Sequence, residues 1–369
     1  MNFILPFLPL IKRIMLPLHI INQNKGTLKT EDILEIKRRL ATQQRIAIVI
    51  HYNPDGDAIG SALALKMFFQ QKGHQADILS PNNFPTYLSW MPQSETIYIA
   101  TQQFDTCQKI IELADMIFCL DFNAFNRIGV LENLLTDTKK FKVLIDHHID
   151  PMPYFDISYS NSEQTSSTCE LVYRFIADKM QEPEAINKAI AECLYVGIIT
   201  DTGSLSYSCN HPSTYSVVSA LVAQQIDCEQ IHRLVYDTFS ESRIRLLGYC
   251  LSNRLHIREE YATSFIFLTQ KDLNTFHYQQ GDTEGIVNYG LSIKTIRFTA
   301  FFTERDDRIR ISFRSKGNFD VNRFARQHFN GGGHKNASGG NSYDDMVTTI
   351  AKFEALLKRY QQELLTPWD

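Results

Sequence analysis

His51, Asp55 and Asp57 fall within seven residues, in the stretch His-Tyr-Asn-Pro-Asp-Gly-Asp. One imidazole and two carboxylates at that spacing suit one or two divalent cations. An ordinary reading also exists, because Asp-Gly-Asp ahead of a helix is turn chemistry with an N-cap. The same side-chain types then recur three times downstream. Asp121 closes the apolar run Asp-Met-Ile-Phe-Cys-Leu-Asp, and Asp146, His147 and His148 close Lys-Val-Leu-Ile-Asp-His-His. Asp201 stands in Thr-Asp-Thr-Gly, where an apolar helix gives out. Each alone could be a strand-end turn, a satisfied core histidine or a cap. Their repetition at the ends of apolar segments argues for one shared cation site.

The elements that must position them alternate in type. Residues 27–44 read as a capped amphipathic helix, 45–50 as a buried strand and 62–73 as a helix closed by Gly73. Strands are expected over 74–80, 96–100, 115–121 and 142–148, with helices at 107–114 and 131–135. This alternation predicts an α/β fold, a parallel sheet covered by helices. The candidate ligands would share the carboxyl edge of that sheet, where such folds bind ligands. Helices over 166–181 and 184–199 lead to a helical connector over 213–255. A smaller α/β unit follows over 256–369, with strands at 262–268, 296–303 and 308–314 and helices at 320–329 and 344–364. The expected organisation is a leader (1–26), a catalytic unit (27–212), the connector and the smaller unit, with a cleft between the two units.

In the smaller unit, Asn-Gly-Gly-Gly-His follows a helix instead of preceding one, so it is neither a P-loop nor a dinucleotide fingerprint. A glycine loop lets backbone N–H groups face an anion. His334 and Lys335 add a donor and a charge. Arg308, Arg310 and Arg314 share parity on the expected strand and so one face, and guanidinium suits a terminal phosphate. The plainer alternative is a tight turn beside a solvated strand face.

His-x-x-Pro-Asp-x-Asp-Ala-x-Gly-Ser, a strand-end Asp, Asp-His-His, Asp-Thr-Gly after an apolar helix and a C-terminal Gly-Gly-Gly-His occur here in that order. The set resembles the DHH phosphoesterase family, in its branch with a C-terminal DHH-associated domain. The resemblance covers nearly all of residues 30–365. It implies two divalent cations, Mn2+ or Mg2+. His51 and Asp55 would hold one ion, Asp57, His147 and Asp201 the other, and Asp121 would bridge them. Asp146 would orient a histidine, and His148 would face the phosphate. Arg314, Gly332, Gly333, His334 and Ser338 would grip the nucleotide away from the scissile bond. Two ions about 3.5–4 Å apart clamp the attacking and leaving oxygens of a phosphoryl displacement, and no Ser or Cys nucleophile is needed. Imidazole ligands favour Mn2+ over Mg2+.

The two-domain layout is similar to bacterial nanoRNases that also dephosphorylate 3′-phosphoadenosine 5′-phosphate (pAp). The expected activity is hydrolysis of short oligoribonucleotides to mononucleotides and of pAp to AMP. A cyclic di-AMP or pApA phosphodiesterase and a RecJ-type single-strand exonuclease are the rivals that share the fold. A nucleotide-binding regulator without activity is the rival of another class, and no matched ligand position is substituted in its favour.

Bulk composition is compatible with these readings. The chain of 369 residues is 44% hydrophobic and 21% charged, as in ordinary globular proteins. A net charge of −4 supplies no global field for long nucleic acid, so a nucleic-acid substrate should be short. Seven cysteines without a Cys-x-x-Cys pair argue against a disulfide framework or zinc ribbon and for a reducing, cytoplasmic setting. Neither apolar run in the first 25 residues is long enough to span a bilayer, and Pro6, Pro9 and Pro17 argue against a surface helix. A loosely fixed leader, or initiation at Met15, is the expectation there. No integral membrane segment is expected, and a homodimer is left open.

Overall fold

The computed structural model describes residues 28–160, 164–279 and 281–366. The expected leader lies outside the described residues. Helix α1 (Thr30–Leu40) precedes the first sheet. Its strands are β1 (Arg45–Val49), β2 (Gln75–Ser80), β3 (Tyr98–Ile99), β4 (Met116–Leu120), β5 (Phe141–Asp146) and β6 (Ile157–Ser160). Every neighbouring pair is parallel, in the order β3-β2-β1-β4-β5-β6. The buried runs Ile-Ala-Ile-Val and Met-Ile-Phe-Cys-Leu are what a sheet covered on both faces demands.

On one face, α1, α2 (Gly56–Gln71), α5 (Thr168–Arg174), α6 (Lys188–Asp201), α7 (Pro212–Val222) and α8 (Cys228–Tyr236) join the larger core. On the other lie α3 (Ala100–Leu113) and α4 (Glu132–Asp137). The chain runs from β1 outward to β3 and then crosses back to β4, on the opposite side of β1. This reversal opens a crevice at the carboxyl ends of β1 and β4, the usual ligand position in doubly wound sheets.

Helix α9 (Glu241–Tyr249) leads into a second sheet of β7 (Leu255–Arg258), β8 (Thr263–Leu268), β9 (Phe298–Glu304), β10 (Ile309–Ser315), β11 (Gly332–Gly333) and β12 (Ala337–Ser342). The order is β11-β12-β10-β9-β8-β7, antiparallel except for β8 with β9. Helices α10 (Gln270–Thr275), α11 (Ile286–Leu291), α12 (Val321–His328) and α13 (Met346–Leu365) complete this unit. A phenylalanine-rich core fills it, built from Phe265, Phe298, Phe302, Phe313, Phe324 and Phe353. On β10, Ile309, Ile311 and Phe313 point into that core, while Arg310, Ser312 and Arg314 face outward.

Several elements differ from the sequence expectation. Helix α2 starts at Gly56, not near 62, because Asp55 caps it and draws Gly56 and Asp57 into the first turn. Helix α3 starts earlier than expected, at Ala100. The segment 166–181 is a short α-helix that widens into a π turn at Phe175–Lys179. β6 was not anticipated, since Ile-Ser-Tyr-Ser is a short, half-polar edge strand. The glycine loop is partly a strand: β12 pairs with β10, Arg314 opposite Ala337 and Phe313 opposite Ser338. Glycine is a poor strand former alone, and pairing with β10 overrides that preference.

Candidate metal centre

The first sheet brings its candidate ligands to the crevice. His51 follows β1, Asp121 follows β4, and Asp146 ends β5 with His147 and His148 directly after it. Asp57 comes from the first turn of α2 and Asp201 from the last residue of α6. His51, Asp57, Asp121, Asp146 and His147 are buried, whereas Asp55, His148 and Asp201 are half-buried.

Asp121 stands between two sets of donors. Its Oδ2 lies 3.4 Å from His51 Nε2, and its Oδ1 lies 3.5 Å from His147 Nε2. His51 Nε2 is also 3.9 Å from Asp55 Oδ1. His147 Nε2 is 3.9 Å from Asp57 Oδ2 and 3.5 Å from Asp201 Oδ2. One carboxylate thus offers one oxygen to each of two pockets. Asp121 has φ of 63°, a left-handed conformation uncommon for a non-glycine residue and typical of functional sites.

Second partners fix these ligands. His51 Nδ1 donates to the Tyr52 carbonyl at 2.9 Å, which leaves Nε2 to face the carboxylates. Asp55 Oδ1 accepts from the backbone N–H groups of Asp57 (3.0 Å) and Ala58 (3.1 Å), so the N-cap and the candidate ligand are the same side chain. Asp57 accepts from the Thr168 and Cys169 amides at 2.7 and 2.8 Å. The Thr168 hydroxyl donates to Asp121 Oδ1 at 2.9 Å. Thr168 was missed by sequence reasoning. Its only signal is a Ser-Ser-Thr run ahead of an apolar segment, which reads as a helix start. His148 Nδ1 donates to Asp146 Oδ1 at 2.7 Å, while Asp146 Oδ2 is buried without a partner among the described residues.

The electrostatics fit cations. Burial opposes a charge on His51, but Asp121 and Asp55 overcome it and hold the ring at about 10. Burial likewise opposes charge on His147, and Asp201, Asp121 and Asp57 hold it at about 9. Burial, then the Asp121 and Asp201 charges, push Asp57 well above the usual carboxylate range. Burial raises Asp201 to about 7. Two carboxylates about 4 Å apart repel by about 4 kcal/mol at an effective dielectric of 20, so imidazolium groups alone leave the cluster under-neutralised. Asp55, Asp57, Asp121 and Asp201 together match the four positive charges of two divalent ions, and the donor set fits such a pair.

The second unit reaches this centre. The His334 ring lies 4.8 Å from that of His147 and stacks on His148 at 4.9 Å and 23°. Burial and the neighbouring His147 and His148 lower His334 to about 3. Burial and the charges of Arg127 and His147 hold His148 well below the imidazole norm. Arg314 lies within electrostatic reach of Asp201 and Tyr207. The other residues of the expected clamp make contacts within the protein. The Gly333 amide donates to Asn322 Oδ1 at 3.0 Å, and the buried Ser338 hydroxyl donates to the His334 carbonyl at 2.9 Å. A Cβ on Gly331 would sit 2.0 Å from the Gly339 carbonyl oxygen, and Gly333 has φ of 147°. The glycines thus permit close approach to β12, and Ser338 braces the turn that presents His334.

Comparison with known proteins agrees with this architecture. The chain belongs to the DHH family: residues 45–198 match its N-terminal domain and 260–365 match the DHHA1 domain. A Streptococcus mutans protein named as a probable bifunctional oligoribonuclease and PAP phosphatase NrnA is 30% identical over 309 residues, 84% of this chain and 93% of that one. The bifunctional oligoribonuclease and PAP phosphatase NrnA of Bacillus subtilis is 26% identical over 329 residues, 89% of this chain and 99% of that one. A crystal structure of an exopolyphosphatase-related protein from Bacteroides fragilis superposes with a TM-score of 0.87 at 41% identity, covering 92% and 99% of the two chains. RecJ from Thermus thermophilus shares the fold at a TM-score of 0.52 and 12% identity, with this chain covering 55% of it. The protein is a phosphoesterase, a hydrolase of phosphoester bonds.

Proposed function

We propose that the cluster holds two divalent cations, Mn2+ foremost and Mg2+ as the alternative, and that the enzyme cuts mononucleotides from short RNA and dephosphorylates pAp. The observation that carries this reading is Asp121, with one oxygen toward His51 and the other toward His147. His51 and Asp55 serve one ion, and Asp57, His147 and Asp201 the other. When bound, the pair supplies Lewis acidity to a phosphoryl group and makes water a better nucleophile.

The chain's own residues do the rest. Thr168 and the Tyr52 carbonyl hold ligands in register. Asp146 fixes the tautomer of His148, whose neutral ring keeps an Nε2 lone pair beside the reacting centre. Arg314 takes a phosphate across the cleft, and His334 closes the site over His147 and His148. Gly332, Gly333 and Ser338 shape the turn that carries His334. The named relatives support RNA and pAp as substrates. Seven free thiols, most of them buried, support a reducing cytoplasmic setting. Among the described residues, no helix is long and apolar enough to cross a membrane.

The test is a panel of pAp, RNA dimers to pentamers, pApA and cyclic di-AMP with purified protein in Mn2+. Turnover of pAp and the RNAs ahead of cyclic di-AMP is expected. Preference for the cyclic dinucleotide, or no turnover of any member, sinks the reading.

A further inference from the structure

The two units touch on both flanks of the metal centre. On one flank His334 lies against His147 and His148, and Arg326 Nη2 meets Asp150 Oδ2 at 3.5 Å. On the other flank the Tyr87 hydroxyl donates to Glu284 Oε2 at 3.2 Å. Pro85 stands 3.6 Å from where a Cβ on Gly281 would sit. Tyr87 lies in a 3-10 turn of the first unit, Thr86–Leu88, and Glu284 in the turn ahead of α11.

Between the flanks, Arg314 and Arg310 project from one face of β10, about 13 Å apart along the strand. Asp55 is half-buried, and Arg310 and Glu284 are exposed. Glu284 is within electrostatic reach of both Asp55 and Arg310. Of the nearby cations, Arg243 is also within electrostatic reach of the Glu284 carboxylate. Arg243 donates to the Glu284 carbonyl at 3.3 Å and lies over the Phe239 ring at 3.6 Å. Arg305 donates to the Tyr278 hydroxyl at 2.8 Å and lies over that ring at 4.5 Å.

We propose that the Tyr87–Glu284 contact is the end wall of the cleft and sets the length of its substrate. This rests on the reading of the enzyme as one that cuts short RNA. A chain whose phosphates reach Arg314 and Arg310 fits. A longer one meets a cleft bridged by a phenol and a carboxylate, and a phosphate beside Glu284 is repelled.

The experiment compares kcat/KM in Mn2+ for RNA dimers through heptamers with the wild type, Glu284→Gln and the double variant Tyr87→Ala/Glu284→Ala. The wild type should fall by about 10-fold or more between trimer and pentamer, and the double variant should recover about 10-fold on the pentamer while its dimer value stays within about 3-fold. Glu284→Gln removes only the charge and guards against a folding defect. It should recover about 3-fold on the pentamer, and the gain should shrink at high salt as a charge effect must. Parallel length profiles in the wild type and both variants overturn the wall and leave the RNA-cutting reading intact. A wild type that cuts dimers, trimers and pentamers equally also overturns the wall. A wild type that cuts no oligoribonucleotide overturns both.

Discussion

In the parallel-sheet unit the candidate ligands are buried or half-buried and most are held by a second group; on β10, Arg310 is exposed and Arg314 half-buried on the face turned away from the core. Asp57 takes two backbone amides, Asp121 a threonine hydroxyl, His51 a carbonyl and His148 a carboxylate. Arg314, by contrast, is half-buried and, among the described residues, donates only to its own strand, at the Phe313 carbonyl. The first arrangement suits ligands that must hold a fixed geometry, because locked rotamers keep them there. The second suits a substrate that arrives and leaves, since a less restrained guanidinium adjusts to a phosphate. Losses in the first unit should therefore strike metal binding and kcat, and losses in the second should strike KM.

The sharpest break is Asp121→Ala. It removes one donor from each pocket at once, and turnover of every substrate should vanish while circular dichroism stays unchanged. Thr168→Val removes the hydroxyl that orients Asp121 and leaves the amide on Asp57. Loss of such a supporting partner typically costs about 10–100-fold in metal affinity, and Thr168→Ser should restore most of it. Mn2+ titration reads this directly, and an unchanged affinity in the valine variant would remove Thr168 from the account. Arg314→Ala should raise KM by about 10–100-fold, the equivalent of about 1.5–3 kcal/mol for a lost charged hydrogen bond, with a smaller change in kcat. A fall confined to kcat would put Arg314 in the wrong half of the comparison.

Protonation sharpens the contrast further. Without metal, His51 at about 10 and His147 at about 9 carry protons at neutral pH, and both must lose them to become ligands. Metal binding should release protons and tighten as pH rises toward those values. Each proton released per ion weakens binding up to about 10-fold for each unit that pH falls. Calorimetry in buffers of different ionisation enthalpy checks this, and a proton count of zero contradicts the assigned ligands. The smallest effect is expected at Gly331→Ala, where the added methyl meets the Gly339 carbonyl oxygen. Overpacking of that kind costs about 1–3 kcal/mol, visible as a lower Tm together with weaker substrate capture through the displaced His334.

The same contrast explains what was legible in the sequence. The candidate ligands of the first unit stand at the ends of apolar strands and helices, so local pattern singles them out and the fold brings them together, and the strand-helix alternation predicted the parallel sheet. Pattern could not show that Thr168 reaches Asp57 and Asp121, because those residues lie far away in sequence and meet only on folding. In the second unit, parity placed Arg310 and Arg314 on one face of β10, whereas Arg308 falls just ahead of the strand. The glycine run reads as loop because glycine's weak strand preference hides its pairing with β12, Gly332 opposite Gly339 and Gly333 opposite Ser338. The Gly333 amide and the Ser338 hydroxyl are engaged inside the protein, which chain order alone does not reveal. The contact of Tyr87 with Glu284 belongs to the same class, since it depends on how two separately legible units meet.

The most direct test is a Mn2+ titration of the metal-free protein followed by electron paramagnetic resonance. Two ions per chain with the exchange-coupled signal of a pair about 3.5–4 Å apart are expected, with loss of that coupled signal in Asp121→Ala. Two magnetically independent ions, a single ion, or a coupled pair that persists without Asp121 would contradict the bridged pair.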